Sequence, residues 1–205
     1  MLNPPFNLLC SGITNCGKTQ FILDFIQANY KFDFIVLFCP TFLYNKTYRN
    51  HPLVKRKNFI INKKLLLKND TLDSMLAVCY KQYKNSNTLF LLDDIANLWD
   101  AKHRCSELCK LAFSARHARI SVWVLTQKYN GIVKDFRDNI RMLVLFYNKD
   151  KSAMEDALKE NNIIPKDEIE GILKTLKDNK HSKLIMQLEQ PLHYFVLSDN
   201  NQKVL

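Results

Sequence analysis

The sequence contains 205 residues, of which 47% are hydrophobic and 24% are charged. This is the composition of an ordinary globular protein, which excludes disordered, collagen-like and coiled-coil chains, and no run reaches the roughly 18 uninterrupted apolar residues of a membrane-spanning helix. Thirty Lys and Arg residues against twenty Asp and Glu residues give a formal net charge of +10, which favours polyanionic partners such as nucleic acid or an anionic membrane.

The first three quarters of the chain alternate between apolar runs and helix-like segments. The runs occupy residues 6–10, 34–38, 89–92, 121–125 and 142–147, and the helix-like segments lie near 18–30, 70–84 and 101–113. Continuous apolar runs, in contrast to alternating ones, are typical of strands buried on both faces. The pattern therefore predicts an α/β fold, a three-layer sandwich in which helices cover a mainly parallel sheet.

The character of the sequence changes after residue 150. Residues 151–180 are highly charged and helical in pattern, with interruptions at Ile164-Pro165 and at Gly171. Two short alternating runs, 183–188 and 193–197, follow and are predicted to form a β-hairpin. We expect a core at 1–150 and C-terminal helices with a hairpin at 151–205, packed on the same domain.

The first apolar run leads into a stretch of the form G-x-x-x-x-G-K-[ST]. Glycines let the backbone wrap closely around a phosphate, and the N–H groups of the loop and of the following helix supply positive potential. We predict a P-loop for ATP, in which Lys18 reaches the β- and γ-phosphates and the hydroxyl of Thr19 coordinates Mg²⁺. The predicted binding residues are Gly12, Ile13, Thr14, Asn15, Cys16, Gly17, Lys18 and Thr19.

An acidic pair, Asp93-Asp94, follows the third apolar run. A buried strand carries such carboxylates to the edge of the sheet where ligands bind in open α/β folds. This pattern has the form of a Walker B element, so we expect Asp93 to hold Mg²⁺ through its water shell and Asp94 to orient the attacking water.

Polar and basic residues flank the fourth apolar run. Gln127 closes this run, where a side-chain amide can bond the γ-phosphate or the attacking water. Arg116 and Arg119 precede the run. Hydrolysis by P-loop enzymes often needs an extra positive charge, and either arginine can supply it to a neighbouring subunit. A solvated loop is the simpler alternative for both arginines.

The six cysteines predict no disulfide framework. The first residues lack the basic region and apolar core of a signal peptide, so we expect a protein that is not secreted and whose thiols stay reduced. His103, Cys105 and Cys109 form the pattern H-x-C-x3-C, which suits a metal, but a fourth ligand is not obvious and the spacing matches no zinc module well. Small buried side chains on a helix are the preferred interpretation.

The order and spacing of these elements resemble those of the poxvirus-type genome-packaging ATPases of large DNA viruses, virophages and virus-like transposons. These enzymes belong to the FtsK/HerA superfamily of P-loop motors. The resemblance covers about residues 3–147. It rests on residues 6–19, the Cys39-Pro40-Thr41 turn, Leu91-Leu92-Asp93-Asp94, Arg116-His117 and residues 120–127.

The resemblance implies a P-loop NTPase sheet of the additional-strand type, with the fourth strand inserted between the first and the third. It implies an ATPase that forms a homo-oligomeric ring, a pentamer or hexamer, and threads double-stranded DNA into a capsid. Gln127 matches the family's polar sensor and Arg116 matches the Arg-His motif, which makes it the choice for an arginine finger, with Arg119 in reserve. Many related motors carry Glu where this chain has Asp94.

The partners and location follow from the same resemblance. We expect a capsid or portal protein as partner, no membrane, and a place in the host-cell cytoplasm or viral factory, with transient attachment at the capsid vertex. The densest basic stretch, between residues 46 and 68, is a candidate for DNA phosphate contacts, with a solvated loop as the alternative. Its basic residues are Lys46, Arg49, Lys55, Arg56, Lys57, Lys63, Lys64 and Lys68.

Three other functions stay open from the sequence: a small-molecule kinase on a P-loop core, a DNA-binding ATPase with a non-packaging role, and a non-hydrolysing nucleotide-binding protein. Kinases of this type usually carry an arginine-rich lid after the fourth strand. Residues 128–141 contain Arg137 and Arg141 but no cluster. The intact Lys18, Thr19 and Asp93 argue against a protein that does not hydrolyse nucleotide.

Overall fold

The computed structural model describes residues 2–62, 71–95 and 106–198, and its centre is an eight-stranded sheet. The strands are β1 (Leu8–Ser11), β2 (Phe34–Phe38), β3 (Phe59–Ile61), β4 (Thr88–Asp93), β5 (Ile120–Thr126), β6 (Met142–Phe146), β7 (Lys183–Gln187) and β8 (His193–Leu197). Their order across the sheet is β3-β2-β4-β5-β1-β6-β7-β8.

The α-helices of the described residues lie between these strands. They are α1 (Lys18–Asn29), α2 (Lys46–Asn50), α3 (Leu72–Tyr83), α4 (Glu107–Ser114), α5 (Lys134–Arg137), α6 (Lys151–Glu160) and α7 (Lys166–Asp178). Short 3-10 turns occupy Phe42–Tyr44, Pro52–Lys55, Ala115–Ala118 and Tyr129–Gly131.

The first six strands run parallel, and β5 is inserted between β1 and β4. This is the additional-strand order that the family resemblance implies, and it is confirmed. Parallel pairing brings the carboxyl ends of β1, β4 and β5 to one edge, where Ser11 pairs with Thr126 and Asp93 with Leu125. That edge is where ligands bind in folds of this class.

Two hydrophobic clusters, one on each face of the sheet, pack the helices against the sheet and so define three layers. Successive residues of a strand point to opposite faces, and along β1 Leu8 belongs to one cluster and Leu9 to the other. The Leu8 cluster also contains Ile22 and Ile26 of α1. The Leu9 cluster contains buried residues of α3, α4, α6 and α7, so the three-layer α/β sandwich predicted from the apolar runs is confirmed.

The C-terminal hairpin extends the same sheet. β7 pairs antiparallel with β6, and β8 pairs antiparallel with β7. The expected helix break near Pro165 is confirmed, since α6 ends at Glu160 and α7 begins at Lys166. The expected interruption at Gly171 is wrong, because α7 continues through it. One glycine lowers helix stability without ending a helix whose neighbours favour the conformation.

One strand escaped the sequence pattern. β3 has only three residues and lies at the edge of the sheet, inside the stretch that the sequence marks as basic. A run this short carries too little periodicity to be recognised. Among the described residues, no helix is long and apolar enough to cross a membrane.

Candidate nucleotide-binding site

The glycine loop connects β1 to α1 at the carboxyl edge of the sheet and is anchored to two neighbouring strands. The backbone N–H of Gly12 donates to the carbonyl of Thr126 at 3.2 Å, and that of Ile13 donates to the carbonyl of Tyr147 at 3.4 Å. A Cβ atom added to Gly12 would lie 2.5 Å from the Cβ of Phe146. Only glycine fits here without displacing the end of β6.

The end of the loop has the backbone shape of an anion cradle. Asn15 and Gly17 adopt left-handed conformations, with φ of 62° and 96°, so the loop turns sharply before the helix. No side chain caps the N-terminus of α1, and its first turn contains no acidic residue. The first N–H groups of a helix have no intrahelical acceptor. Together with the helix dipole they form a site for phosphate.

Lys18 lies within this loop and is almost fully buried, with 7% of its surface exposed. Its ammonium group donates to the carbonyl oxygens of Gly12 at 2.7 Å and Ile13 at 2.9 Å. These two bonds hold the positive charge at the concave side of the loop. A phosphate seated in the loop is therefore within reach of a fixed cation.

Thr19 and Asp93 meet directly, although they come from different elements. The Thr19 hydroxyl donates to Oδ2 of Asp93 at 3.0 Å, and the Tyr48 hydroxyl donates to the same oxygen at 2.7 Å. A hydroxyl and a carboxylate next to a phosphate cradle are the oxygen ligands that Mg²⁺ prefers. The donor set therefore fits Mg²⁺ bound together with a nucleotide.

The pKa of Asp93 is raised to about 6. The largest cause is burial, which removes water from the carboxylate, and the negative charge of Asp94 adds to it. Hydrogen bonds from Tyr48 and Thr19 and the charge of Lys18 act in the opposite direction. A buried carboxylate of this kind is stabilised by a cation, which is the electrostatic condition for a metal ligand.

Asp94 follows directly after β4. Its φ is 58°, an unusual value for a residue with a side chain, and its Oδ2 accepts a 2.6 Å hydrogen bond from the hydroxyl of Thr41. Both aspartates, Lys18 and Thr19 line one cleft of about 570 Å³. Asp94 thus lies in the same space as the phosphate cradle, with its carboxylate held by the turn after β2.

Gln127 also lines this cleft. Its backbone carbonyl accepts a hydrogen bond from the side-chain amide of Asn148 at 2.8 Å. The hydroxyl of Thr126 bonds both the N–H and the carbonyl of Lys128. These contacts fix the turn after β5, which places Gln127 at the same cleft as the two aspartates.

Arg116 and Arg119 lie at the other edge of the sheet. They precede β5, whose seven residues separate them from the P-loop edge by about 20 Å at the usual rise per residue. Arg119 adopts a left-handed conformation with φ of 60° and borders a cavity of about 270 Å³ with Lys31 and Asn87. Neither arginine enters the cleft of its own chain.

Three contacts of the site come from residues to which the sequence assigns no role in it. Tyr48 lies on α2, inside the basic stretch that the sequence marks only as a candidate for DNA contact. Thr41 belongs to the Cys39-Pro40-Thr41 turn, which supports the family resemblance but does not predict a contact with Asp94. His181, which precedes β7, brings Nδ1 to 3.1 Å from the carbonyl oxygen of Cys16 in the P-loop.

Two predicted groups fall partly outside the described residues. His103 and Cys105 of the H-x-C-x3-C pattern lie there, while the thiol of Cys109 donates to Asp135 at 3.1 Å. Lys63, Lys64 and Lys68 of the basic stretch lie there as well. Within the part that is described, Lys46 lines the nucleotide cleft, and Lys55, Arg56 and Lys57 are exposed in the loop before β3.

A parallel sheet with an inserted strand, a phosphate cradle and a hydroxyl–carboxylate pair define this chain as a P-loop NTPase. The profile of one family, described as the Poxvirus A32 protein, matches residues 1–204. The chain belongs to this family. A comparison with curated proteins gave no match.

Solved structures share the fold. The genome packaging NTPase B204 from Sulfolobus turreted icosahedral virus 2, in complex with ATP-gammaS, has a TM-score of 0.66 and 14% identity over 100% of both chains. B204, the DNA-packaging ATPase from Sulfolobus Turreted Icosahedral Virus, has a TM-score of 0.66 and 15% identity over 95% of this chain and 98% of that one. The N-terminal domain of zonular occludens toxin from Neisseria meningitidis has a TM-score of 0.55 and 13% identity over 96% and 95%.

Proposed function

We propose that this chain is an ATPase that drives translocation of double-stranded DNA and packages a viral or virus-like genome into its capsid. The observation that carries the ATPase assignment is the contact between Thr19 and Asp93 at the uncapped N-terminus of α1. Membership of the Poxvirus A32 family and a fold shared with DNA-packaging ATPases support the coupling to DNA.

Each residue of the cleft has a separate role in the proposed ATP hydrolysis. The P-loop amides and Lys18 would bind the β- and γ-phosphates, while Thr19 and Asp93 would hold an Mg²⁺ ion, which would shield the phosphate charge. Asp94, held by Thr41, orients the attacking water and accepts its proton. The amide of Gln127 bonds the γ-phosphate or this water, so that the strand β5 senses the state of the nucleotide.

The active form in this proposal is a homo-oligomeric ring, a pentamer or hexamer. Arg116 lies about 20 Å from the cleft of its own chain, so its charge reaches a γ-phosphate only across a subunit interface. A ring that places the Arg116 edge of one subunit on the cleft of the next satisfies this geometry. Arg119, at the same edge, is the alternative finger.

The remaining partners follow from the packaging role. Double-stranded DNA contacts the protein through its phosphates, for which the basic loop before β3 is the candidate surface. Residues 1–150 form the ATPase core, and 151–205 form a C-terminal part that packs on it. A capsid or portal protein docks the ring at the capsid vertex, and the protein works in the host-cell cytoplasm or viral factory.

The contacts of Arg137 and Arg141 disfavour a small-molecule kinase. Arg137 bonds Glu160 at 3.0 Å and lies over the ring of Tyr129 at 4.8 Å. Arg141 pairs with Glu189 at 3.2 Å. Both guanidinium groups therefore tie the segment after β5 to the C-terminal elements, and neither lines the nucleotide cleft.

The test is ATP hydrolysis by the purified chain at low salt, with and without linear double-stranded DNA. We expect DNA to stimulate hydrolysis, and Lys18→Ala to abolish both the basal and the stimulated rate because the charge at the γ-phosphate is lost. Lys81→Ala, an exposed position on α3, is the matched control and should leave both rates unchanged. Absence of hydrolysis by the wild-type chain under all conditions would contradict the ATPase assignment.

A further inference from the structure

A second groove lies beside the P-loop, on the side away from the two aspartates. It is an open groove of about 450 Å³, lined by the loop, by one face of α1, by the beginning of β7 and by the ends of β6 and β8. We call it the hairpin groove, and the residues that matter below are Gly17, Gln20, Phe21, Phe146, His181 and Lys183. Gly17 and Gln20 border both this groove and the catalytic cleft, so the two spaces meet at the first turn of α1.

The position of the catalytic groups sets the direction of a bound nucleotide. Thr19, Asp93 and Asp94 mark the γ-phosphate end, and β4, which carries the aspartates, lies two strands from β1 on one side. The chain of phosphates therefore leaves the loop toward the other side, where β6 and β7 lie. The hairpin groove is the space at that end of the P-loop.

We propose that the hairpin groove binds the nucleoside part of ATP, and that His181 is the residue of the C-terminal hairpin segment that contacts it. This inference rests on the proposed ATPase function. A volume of this size is within the range of small-molecule sites, which combine apolar walls with a few placed polar groups. The rings of Phe21 and Phe146 supply apolar wall, with Lys183 Nζ at 5.0 and 5.7 Å from their centroids.

The hydrogen bond of His181 decides which of its nitrogens faces a ligand. The carbonyl oxygen of Cys16 can only accept, so Nδ1, at 3.1 Å, is the donor. In the neutral ring Nε2 then carries the lone pair and accepts hydrogen bonds. The ring also lies against Gly17, where an added Cβ would be 3.2 Å from Nδ1. The imidazole ring of His181, with one hydrogen-bond acceptor, therefore lies where the phosphate cradle meets the hairpin groove.

Comparing the affinities of two ligands, one with a nucleoside and one without, shows whether His181 contacts the nucleoside or only stabilises the P-loop. The affinities of ATP and of inorganic tripolyphosphate, each with Mg²⁺, are measured by calorimetry for the wild type, His181→Ala and His193→Ala. We expect His181→Ala to weaken ATP binding about tenfold, the size of one lost hydrogen bond with its ring contact, and to change tripolyphosphate binding less than about twofold. His193, exposed at the far end of the same hairpin, should change neither.

Each other result of this binding experiment would contradict either the role of His181, the nucleoside groove or the phosphate site. An equal loss for both ligands means that His181 only supports the P-loop, and no loss for either means that the nucleoside lies elsewhere. If the wild type binds neither ligand, the phosphate site fails and the proposed function fails with it. If the wild type binds ATP and tripolyphosphate equally well, the phosphate site is supported, and only the proposal of a nucleoside groove is contradicted.

Photolabelling of the wild-type chain with 8-azido-ATP tests the groove without any substitution. The reactive group is on the base, so we expect the label in peptides that contain residues 17–25 or 181–183. A label confined to residues 41–48, on the opposite side of the P-loop, would overturn the proposal. Excess unlabelled ATP should prevent this labelling, and a label that persists in excess ATP would be non-specific and would not support the groove.

Discussion

Asp93 shows how single residues prepare the nucleotide site. Its carboxylate is 2% exposed and accepts hydrogen bonds from Thr19 and Tyr48, yet burial still raises its pKa to about 6. The metal-free protein therefore holds a carboxylate whose charge is poorly compensated at neutral pH. In the proposed mechanism, a divalent cation beside Thr19 would compensate this charge and would thereby couple metal binding to the stability of the folded protein.

We expect this carboxylate to make the metal-free protein less stable as the pH rises. The folded-state pKa is raised from 3.8 to about 6, so the stabilising contribution is complete below pH 4 and is lost as the pH passes through 6. In urea unfolding with a chelator present, the stability of the wild type should fall by about 3 kcal/mol relative to Asp93→Asn between pH 4 and 7.

Asp93→Asn is the matched control, since the amide oxygen still accepts from Tyr48 and Thr19 but does not titrate. Carboxylates that do not interact with Asp93 titrate in both proteins and cancel in the difference. A constant difference across this pH range would mean that Asp93 has an ordinary pKa in the folded chain.

At the scale of elements, two glycines with the same lack of a side chain have opposite roles. Gly12 ends β1 where Phe146 of β6 leaves no room for a Cβ. Gly171 is exposed within α7, and nothing lies within 4 Å of the Cβ that it lacks. The first glycine is required by the packing of the P-loop on the sheet, whereas the second only loosens a helix.

Gly171→Ala should therefore stabilise the chain, and Gly12→Ala should destabilise it. Alanine in a helix interior reduces the entropy of the unfolded chain and favours the helix, which is worth about 0.5–1 kcal/mol. At position 12 the new methyl group forces the loop or β6 to move. Urea unfolding curves of the two variants measure both effects, and a destabilised Gly171→Ala protein would contradict the helix found at that position.

At the scale of the whole molecule, the two edges of the sheet have different chemistry. The carboxyl edge carries the phosphate cradle and the aspartates, whereas the opposite edge carries Arg116, Arg119 and the basic loop before β3. A single subunit thus has the candidate nucleotide site at one edge and the two arginines at the other. In the proposed ring, the arginine edge of one subunit would face the cleft of the next.

We expect Arg116→Ala subunits to inhibit wild-type neighbours in mixed assemblies. Because each finger acts on the next subunit in the proposed ring, the DNA-stimulated ATPase rate should fall by more than the fraction of variant added. Lys110→Ala, an exposed position on α4, is the control and should leave the rate unchanged at every ratio. A rate that falls in strict proportion to the Arg116→Ala fraction argues against a finger that acts in trans.

Charge reversal in the loop before β3 tests the DNA surface. Lys55→Glu with Lys57→Glu should weaken binding of double-stranded DNA at low salt and spare basal ATP hydrolysis, because these residues lie outside the cleft. Lys166→Glu with Lys174→Glu, both exposed on α7, makes the same change in net charge elsewhere. Equal loss of DNA binding in the two double variants would point to overall charge and not to this loop.

The sequence by itself determined the features that depend on neighbours along the chain. The P-loop, the acidic pair and the apolar runs are local patterns, and each apolar run overlaps a strand of the structure. The resemblance to packaging ATPases added the place of β5 between β1 and β4, which no local pattern encodes. The predicted helix interruption at Gly171 is wrong because the low helix propensity of one glycine is outweighed by the helix-forming residues on both sides of it.

The tertiary structure alone decided which distant residues complete the site. Tyr48 bonds Asp93 across 45 residues of sequence, Thr41 bonds Asp94 across 53, and His181 reaches the P-loop across 165. Such contacts depend on the sheet order, which brings the ends of β2, β4 and β7 toward one edge. The same order places Arg116 far from the cleft of its own chain, because a strand carries its two ends to opposite edges of the sheet.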